Sequence, residues 1–363
     1  MRNTGTRGYS GYRGRRGGKT WLILALVLIL LAAVVFLAVQ RYMVFHGDGS
    51  YQIELPWARH TAQTETPAPQ PTGQELEIVI EQPEGQEEPP EQPAAQQSAA
   101  QPLRAQELDA SALLGSMERD LAALPDAVNA VAIRVKTVGG DLLYPSALQL
   151  AIDAGAVQGS SIARSAIEDL NTSGYYTIAR LSALHDSRFS FAHMTDAAVL
   201  QKAYKNNIWY APDSSFYLAP EKELTREYLT AIAAEVAELG FDELLFDEFG
   251  YPAAGRLNNI DDSARTVSMP EALTTLADNL RETAADHNVR LSVLLDEETV
   301  LSGGNEKSGQ ELASLANLFD RIYVPTTEAQ LPALQAALEP YTAELIPVYD
   351  MYPTGGTYLV VPE

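Results

Sequence analysis

The chain has 363 residues, with 25 lysines and arginines against 48 aspartates and glutamates, and it contains no cysteine. The missing cysteine excludes disulfides, thiolate metal ligands and a cysteine nucleophile. The formal net charge of -23 argues against nucleic acid as a partner, because binding to phosphates requires a basic surface.

The N-terminal region has the pattern of a membrane anchor. Residues 1–20 include basic side chains and no acid, and the stretch from Trp21 to Val39 carries no charge. About 20 apolar residues cross the ~30 Å hydrocarbon core, and basic residues before the span keep the N-terminus cytoplasmic. No small-residue cleavage site follows, so a signal peptide is the weaker alternative. We predict a cytoplasmic tail over residues 1–20, one transmembrane helix over residues 21–40, and an extracellular C-terminal part.

The next segment, residues 41–102, is rich in proline, glutamine and glutamate, above all between residues 61 and 101. Such a composition cannot bury enough apolar surface to fold, so it predicts a disordered linker. The apolar stretch at residues 75–81 interrupts this pattern and could form a short strand.

The remaining part, residues 103–363, alternates short apolar runs with helical periods. The runs predict strands buried on both faces at residues 128–136, 175–183, 243–249, 290–296, 321–325 and 344–350, with a weaker first candidate at residues 103–109. One helix carries an apolar stripe from Leu224 to Leu239 and ends before Gly240. A second helix opens with Ser268 and Pro270 and runs to about His287.

This alternation predicts an α/β fold, and its length favours a TIM-type (β/α)8 barrel. A doubly wound sheet is the weaker option, because no glycine-rich phosphate loop follows a strand. The chain after residue 350 is too short for a helix and an eighth strand, which leaves closure of the barrel open.

Three of the predicted strands end in an acid, at Asp247, Asp296 and Asp350, and Glu248 and Glu297 lie next to two of them. In a barrel these strand ends meet at the rim where active sites lie. Carboxylates there could supply the nucleophile or base and the proton donor of glycoside cleavage. The alternative for each aspartate is that it caps the following helix.

Several stretches resemble the glycoside hydrolase-like domains of bacterial envelope proteins, a family first catalogued as a domain of unknown function. The matching stretches are residues 129–136, 144–146, 175–186 and 227–252, the last ending in GFDELLFDEFGYP, with a further similarity at residues 308–325. The resemblance implies a (β/α)8 barrel distantly related to the α-amylase-like hydrolases. It implies Asp247 as the nucleophile, Glu297 or Asp296 as the acid/base, and Asp350 as a stabiliser of the transition state.

The chain departs from the family pattern at three strand ends, and on the fifth strand the acid is displaced by two residues. On the second strand, Arg134 and Thr137 replace two acids, although Lys136 is kept. After the fourth strand, Glu248 and Gly250 stand in place of a tyrosine and an arginine, which removes a bidentate partner for a carboxylate or a sugar hydroxyl. A degenerate barrel that binds without cleaving is therefore an alternative to a hydrolase.

The candidate substrate-binding residues are Lys136, Arg180, Asp186, Trp209, Tyr217 and Tyr251. Aromatic faces stack on sugar rings, so Trp209 and Tyr217 could form a platform in a rim loop; alternatively they form a local core. Arg180 could pair with the rim acids. No HExxH motif, histidine cluster or EF-hand spacing is present, so we expect no metal and no cofactor.

Together these observations predict a membrane-anchored extracytoplasmic glycoside hydrolase that acts on a cell-envelope or environmental polysaccharide by carboxylate acid/base catalysis. Its expected partners are that glycan and, through residues 21–40, the lipid bilayer. The alternatives are a carbohydrate-binding barrel without turnover and an envelope scaffold. These functional predictions depend on the acids gathering at one open rim; acids that are scattered, turn outward or are bound to neighbouring arginines would leave only a tethered extracellular fold.

Overall fold

The computed structural model describes residues 102–203 and 207–362, together with the backbone of two short strands nearer the N-terminus. The chain divides into two units, residues 1–88 and 89–363. In the first unit the strands Met43–Phe45 and Tyr51–Ile53 pair antiparallel. The predicted transmembrane helix and the apolar segment at residues 75–81 lie outside the described residues. Among the helices that the structure does describe, none is long and apolar enough to span a bilayer.

The second unit contains a closed, parallel, eight-stranded barrel, which confirms the predicted fold class. Its strands are β1 Arg104–Leu108, β2 Ala130–Lys136, β3 Tyr176–Ser182, β4 Glu243–Asp247, β5 Arg290–Leu294, β6 Arg321–Pro325, β7 Glu344–Tyr349 and β8 Tyr358–Val360. Each strand pairs with the next along the chain, and β8 closes the barrel by pairing with β1.

The barrel closes without a helix before β8 in the described chain. The connection from Tyr349 to Tyr358 consists of bends and irregular residues. At ~3.3 Å per residue, it is long enough to return along a strand of ~17 Å. The chain after residue 350 was expected to be too short for a helix and an eighth strand; the eighth strand nevertheless forms and closes the barrel, since the connection before it contains no helix.

Helices cover the outside of the barrel between the other strands. The α-helices are α1 Met117–Ala122, α2 Gln149–Asp153, α3 Ser161–Asn171, α4 Ser187–Ala192, α5 Glu223–Glu238, α6 Met269–Asp286, α7 Glu297–Ser302, α8 Leu312–Leu318 and α9 Leu331–Leu338, with 3-10 turns at Ala110–Leu114 and Leu257–Asn259.

The structure confirms the sequence signals that predicted the end of α5 and the start of α6. Helix α5 buries its apolar stripe against the barrel, and Gly240 after it has a φ of 94°, the left-handed conformation that ends many helices. Helix α6 begins with a capping box, in which the Ser268 hydroxyl accepts from the Glu271 amide and the Glu271 carboxylate accepts from the Ser268 amide.

The barrel interior is layered, because alternate residues of each strand point inward. Near the amino-terminal end, the carboxylate of Glu243 is fully buried. It accepts hydrogen bonds of 2.5–2.9 Å from Ser292, Arg321, Tyr323 and Tyr176. An apolar layer follows, formed by Ala105, Ala132, Ile178, Leu245, Ile346 and Leu359. The next inward positions on β1 to β4 are charged, and they begin the rim at the carboxyl ends of the strands.

Candidate functional site

Asp247, at the end of β4, is the centre of an ion-pair network inside this rim. Its Oδ2 accepts from Arg134 Nη2 and from Arg180 Nε, each at 2.7 Å. Arg180 Nη1 also donates to Glu107 Oε2 at 2.5 Å. Burial acts to lower the pKa of Arg180, but the carboxylates of Glu107 and Asp247 outweigh it and raise that pKa. Two carboxylates thus balance two guanidinium groups.

This network bears directly on the predicted nucleophile. Only 4% of Asp247 is exposed, and one of its oxygens is bound by two arginines. A nucleophile must approach the reacting carbon to about 3–3.5 Å. The other carboxylate oxygen, Oδ1, has a single long contact, with Arg134 Nη1 at 3.5 Å. Binding to neighbouring arginines is the arrangement that disfavours the hydrolase hypothesis, and Arg134, which replaces an acid of the family pattern, contributes to it.

Lys136 and Asp186 form a second ion pair, in which both side chains are fully buried and the Nζ to Oδ2 distance is 2.7 Å. Lys136 also donates to the carbonyl of Ser182 at 2.9 Å, and Asp186 caps α4 by accepting from the Phe189 amide at 2.8 Å. A side chain at Gly140 would collide with Asp186. This placement gives the pair an internal role, joining β2 to the loop after β3, instead of the predicted contact with substrate.

The remaining predicted acids do not join Asp247 in the described contacts. Asp296 is exposed and caps α7, accepting from the amide and the hydroxyl of Thr299 at 2.7 and 2.8 Å. Glu297 is half-buried and accepts from the Thr326 hydroxyl at 2.6 Å. Asp350 is exposed beyond the end of β7. The helix-capping alternative therefore applies to Asp296 but not to Asp247 or Asp350.

Glu248 has a different environment from the other acids. Its φ of 52° is uncommon for a residue with a side chain and is often found at functional sites. Its side chain is 42% exposed, with Oε2 3.6 Å from His185 Nδ1. The His185 ring stacks on Tyr217 with centroids 4.4 Å apart. Burial, followed by the charges of Glu248 and Asp213, raises the pKa of Tyr217 to about 12.

A cavity of about 220 Å³ opens on this side of the rim, between the ends of β4 and β5. We call it the rim cavity. It is lined by Tyr217, Glu248, Phe249, Gly250, Tyr251, Ala253, Leu294, Leu295, Asp296, Asn305, Ser308 and Gln310. Two of the predicted acids, Glu248 and Asp296, therefore lie on one cavity, and no lysine or arginine is among its described lining residues.

A small hairpin of Gly304–Asn305 and Gln310–Glu311 forms one wall of the rim cavity. Gln310 Nε2 donates to the carbonyl of Phe249, and the amide of Tyr251 donates to the carbonyl of Ser308, each at 2.9 Å. A Cβ atom on Gly250 would lie 3.1 Å from that of Ser308. This hairpin was not predicted from the sequence; the glycines at 303, 304 and 309, all with positive φ, are its signal.

The predicted aromatic residues are partly joined by contacts, since the Tyr217 ring packs against the local core of Trp209 with centroids 6.3 Å apart. Trp209 is 2% exposed and donates from Nε1 to the carbonyl of Arg256 at 3.1 Å, within the local core that was the alternative to a sugar platform. Tyr217 and Tyr251 line the rim cavity. Tyr251 donates to Glu221 at 2.5 Å, and burial together with Glu221 raises the pKa of its hydroxyl.

A closed parallel barrel with polar side chains gathered at the carboxyl ends of its strands has the general architecture of (β/α)8 enzymes. Residues 117–325 match a family described as "Putative glycosyl hydrolase domain". Because this match spans more than half of the chain, the protein belongs to that family. The matched region includes Asp247, Glu248 and Asp296, whereas Asp350 lies beyond it.

Solved structures with similar folds include the glycoside hydrolase domain of PgaB (BpsB) from Bordetella bronchiseptica, with a TM-score of 0.50 and 16% identity over 69% of this chain and 84% of that one. A hypothetical protein from Ruminiclostridium thermocellum ATCC 27405 has a TM-score of 0.44 and 23% identity, over 52% and 95% of the two chains. No curated protein gives a significant match. The first similarity supports the barrel fold.

Proposed function

We propose that the barrel binds a glycan in the rim cavity, and that Asp247 holds the rim together instead of attacking a sugar. The observation that carries this proposal is the engagement of Asp247 by Arg134 and Arg180, each at 2.7 Å, in a side chain that is almost fully buried. The rim cavity beside it is open and lies between two strand ends, where ligands of barrels bind.

The groups around the rim cavity suit a sugar ring. Tyr217, which is half-buried and stacked on His185, offers what aromatic surface the cavity has, since Tyr251 is only 5% exposed; sugar rings pack against such surface through their C–H groups. The carboxylates of Glu248 and Asp296 accept hydrogen bonds from hydroxyl groups, while the side-chain amides of Asn305 and Gln310 both donate and accept.

Hydrolysis is the second candidate, and one observation favours it. Glu248 and Asp296 line the same cavity, and glycoside cleavage needs two carboxyl groups on either side of the scissile bond. Membership of a glycosyl hydrolase family supports the same reaction. In this mechanism one of the two would be the proton donor and the other the base or nucleophile, in place of the assignment that centred on Asp247.

We also propose that the barrel is held at the outer face of a cell membrane. The uncharged stretch from Trp21 to Val39 and the basic residues before it support an anchor with a cytoplasmic N-terminus. The proline-rich segment after the stretch would place the barrel away from the bilayer, within reach of an envelope polysaccharide. Fusion of a reporter enzyme to either terminus would test this topology, and activity of both reporters on the cytoplasmic side would refute it.

The proposed function is tested by presenting the full chain to a panel of envelope polysaccharides, with binding and release of reducing ends measured in parallel. We expect binding without release, and weaker binding in Glu248→Gln. Asp350→Asn is the matched control, since it removes a carboxylate outside the rim cavity. Absence of binding across the panel would refute the proposal. Release that disappears in Asp247→Asn while binding persists would restore Asp247 as the nucleophile.

A further inference from the structure

We propose that a second cavity, beside the rim cavity, binds a further unit of the glycan, so that the barrel recognises a chain of sugars instead of a single terminal sugar. This inference rests on the proposed glycan-binding function and adds the length of ligand that the site takes. The second cavity has a volume of about 270 Å³, and we call it the loop cavity. Its lining includes Gln201, Trp209, Tyr210, Pro212, Arg256 and Asn259.

The loop cavity is built from two connections that are bonded to each other. One wall comes from residues 201–212, between α4 and α5, and the other from residues 255–259, between β4 and α6. The amide of Lys202 donates to the carbonyl of Asn259 at 2.8 Å, and the amide of Asp261 donates to the carbonyl of Leu200 at 2.7 Å. These backbone hydrogen bonds hold the two walls together before a ligand binds, which lowers the entropy cost of binding.

The two cavities are neighbours, because an aromatic residue of one packs against an aromatic residue of the other. Tyr217 lines the rim cavity and Trp209 lines the loop cavity, and their ring centroids are 6.3 Å apart. Both rings belong to one local core, which fixes their relative position. A glycan chain that leaves the rim cavity past Tyr217 therefore reaches the loop cavity.

The groups in the loop cavity suit a sugar unit. Tyr210 is 51% exposed, so its ring offers surface to the C–H groups of a sugar. The carboxamides of Gln201 and Asn259 both donate and accept hydrogen bonds, as sugar hydroxyls do. Within residues 102–203 and 207–362, neither carboxamide nor the Tyr210 hydroxyl has a hydrogen-bond partner. These groups are therefore available to a ligand.

The rim cavity contains the same types of residue. A tyrosine, an asparagine and a glutamine line it, at Tyr217, Asn305 and Gln310. Successive units of one glycan chain are chemically alike, so neighbouring cavities of like composition fit successive units. A ligand that enters both cavities gains affinity because the second contact is intramolecular.

A proline-rich peptide is the other ligand that an aromatic cavity can bind, and residues 61–101 of this chain are rich in proline. The hydrogen-bonding groups favour a glycan. Proline has no N–H to donate, so a proline tract leaves the carbonyl oxygens of Gln201 and Asn259 without donors. The indole N–H of Trp209 already donates to the carbonyl of Arg256 at 3.1 Å. Sugar hydroxyls, in contrast, use both the donors and the acceptors of the carboxamides.

The experiment measures the affinity of the full chain for fragments of the polysaccharide that binds in the panel above, prepared by partial acid hydrolysis and separated by length. We expect fragments that enter both cavities to bind at least about tenfold more tightly than disaccharides. Tyr210→Ala should weaken binding of the long fragments by about fivefold. The matched control is Tyr352→Ala, which removes a tyrosine that is 45% exposed and lines neither cavity.

Four results would overturn the inference. An affinity that does not change with fragment length would restrict the glycan to one site while leaving the proposed function intact. A loss in Tyr210→Ala no greater than that in Tyr352→Ala would show that Tyr210 makes no specific contact. Displacement of the long fragments by a peptide with the sequence of residues 83–95 would assign the loop cavity to a proline-rich segment. Absence of binding across the panel would refute the proposed function together with the inference.

Discussion

The substitution Asp247→Asn separates a structural role for this residue from a catalytic one. The asparagine keeps the size of the side chain but removes the charge that binds Arg134 and Arg180. Breaking a fully buried ion pair by removing one partner costs about 3–5 kcal/mol. Here the cost is smaller, because Arg180 keeps Glu107 and the Arg134 side chain is 22% exposed. We expect a loss of about 2–3 kcal/mol in the free energy of unfolding.

The assay is thermal or urea unfolding of the full chain, followed by circular dichroism. A loss of this size lowers the Tm of a domain of 150–250 residues by roughly 4–12 °C. Asp350→Asn makes the same chemical change at an exposed position beyond the next-to-last strand, and it should alter stability by less than about 0.5 kcal/mol. Equal stability of Asp247→Asn and the unmodified chain would contradict the argument that Asp247 holds the rim together.

Two further predictions concern groups on either side of this network. Asp186→Asn keeps an acceptor for the Phe189 amide but leaves the ammonium of Lys136 fully buried without its carboxylate. We therefore expect the free energy of unfolding to fall by about 3–5 kcal/mol. A change below about 1 kcal/mol in urea unfolding would contradict this expectation. Burial, and after it the charge of Glu248, raises the pKa of Tyr217 to about 12. Since Glu248→Gln removes that charge, alkaline difference spectroscopy should detect a tyrosine that ionises at lower pH in the variant. An unchanged titration would show that Glu248 does not act on the Tyr217 phenol.

The fold could be predicted because the strands are buried on both faces. A buried strand appears as an unbroken apolar run, and the runs at residues 290–296, 321–325 and 344–350 mark β5, β6 and β7 to within two residues. The last strand, Tyr358–Val360, was missed because three residues are too few to show a pattern. Its formation depends on pairing with β7 and β1, and contacts of that kind are not encoded in a local run.

The site was harder to predict than the fold, because strand spacing places a residue at the rim without giving its partners. The strand-end rule put Asp247 at the rim, and Arg180 was expected to pair with a rim acid, as it does. Arg134 was noted only as a replacement for an acid. Its alternation with Ala130 and Ala132, which face the barrel interior, was the available signal that its guanidinium points toward Asp247. The rim cavity could not be predicted, because the missed hairpin forms its wall.

Two of the residues that depart from the pattern expected from the resemblance, Arg134 and Gly250, act together in this structure. Arg134 brings a guanidinium to Asp247 from within the barrel. Gly250, where the family pattern has an arginine, leaves room for the hairpin, since even a Cβ atom there would lie 3.1 Å from Ser308. The guanidinium of Arg134 therefore lies inside the barrel, where a carboxylate balances its charge. The described lining of the rim cavity contains no lysine or arginine. Arg134 therefore engages Asp247, and Gly250 leaves room for the hairpin that walls an acidic cavity beside it; this arrangement is the basis of the proposal that the barrel binds a glycan there.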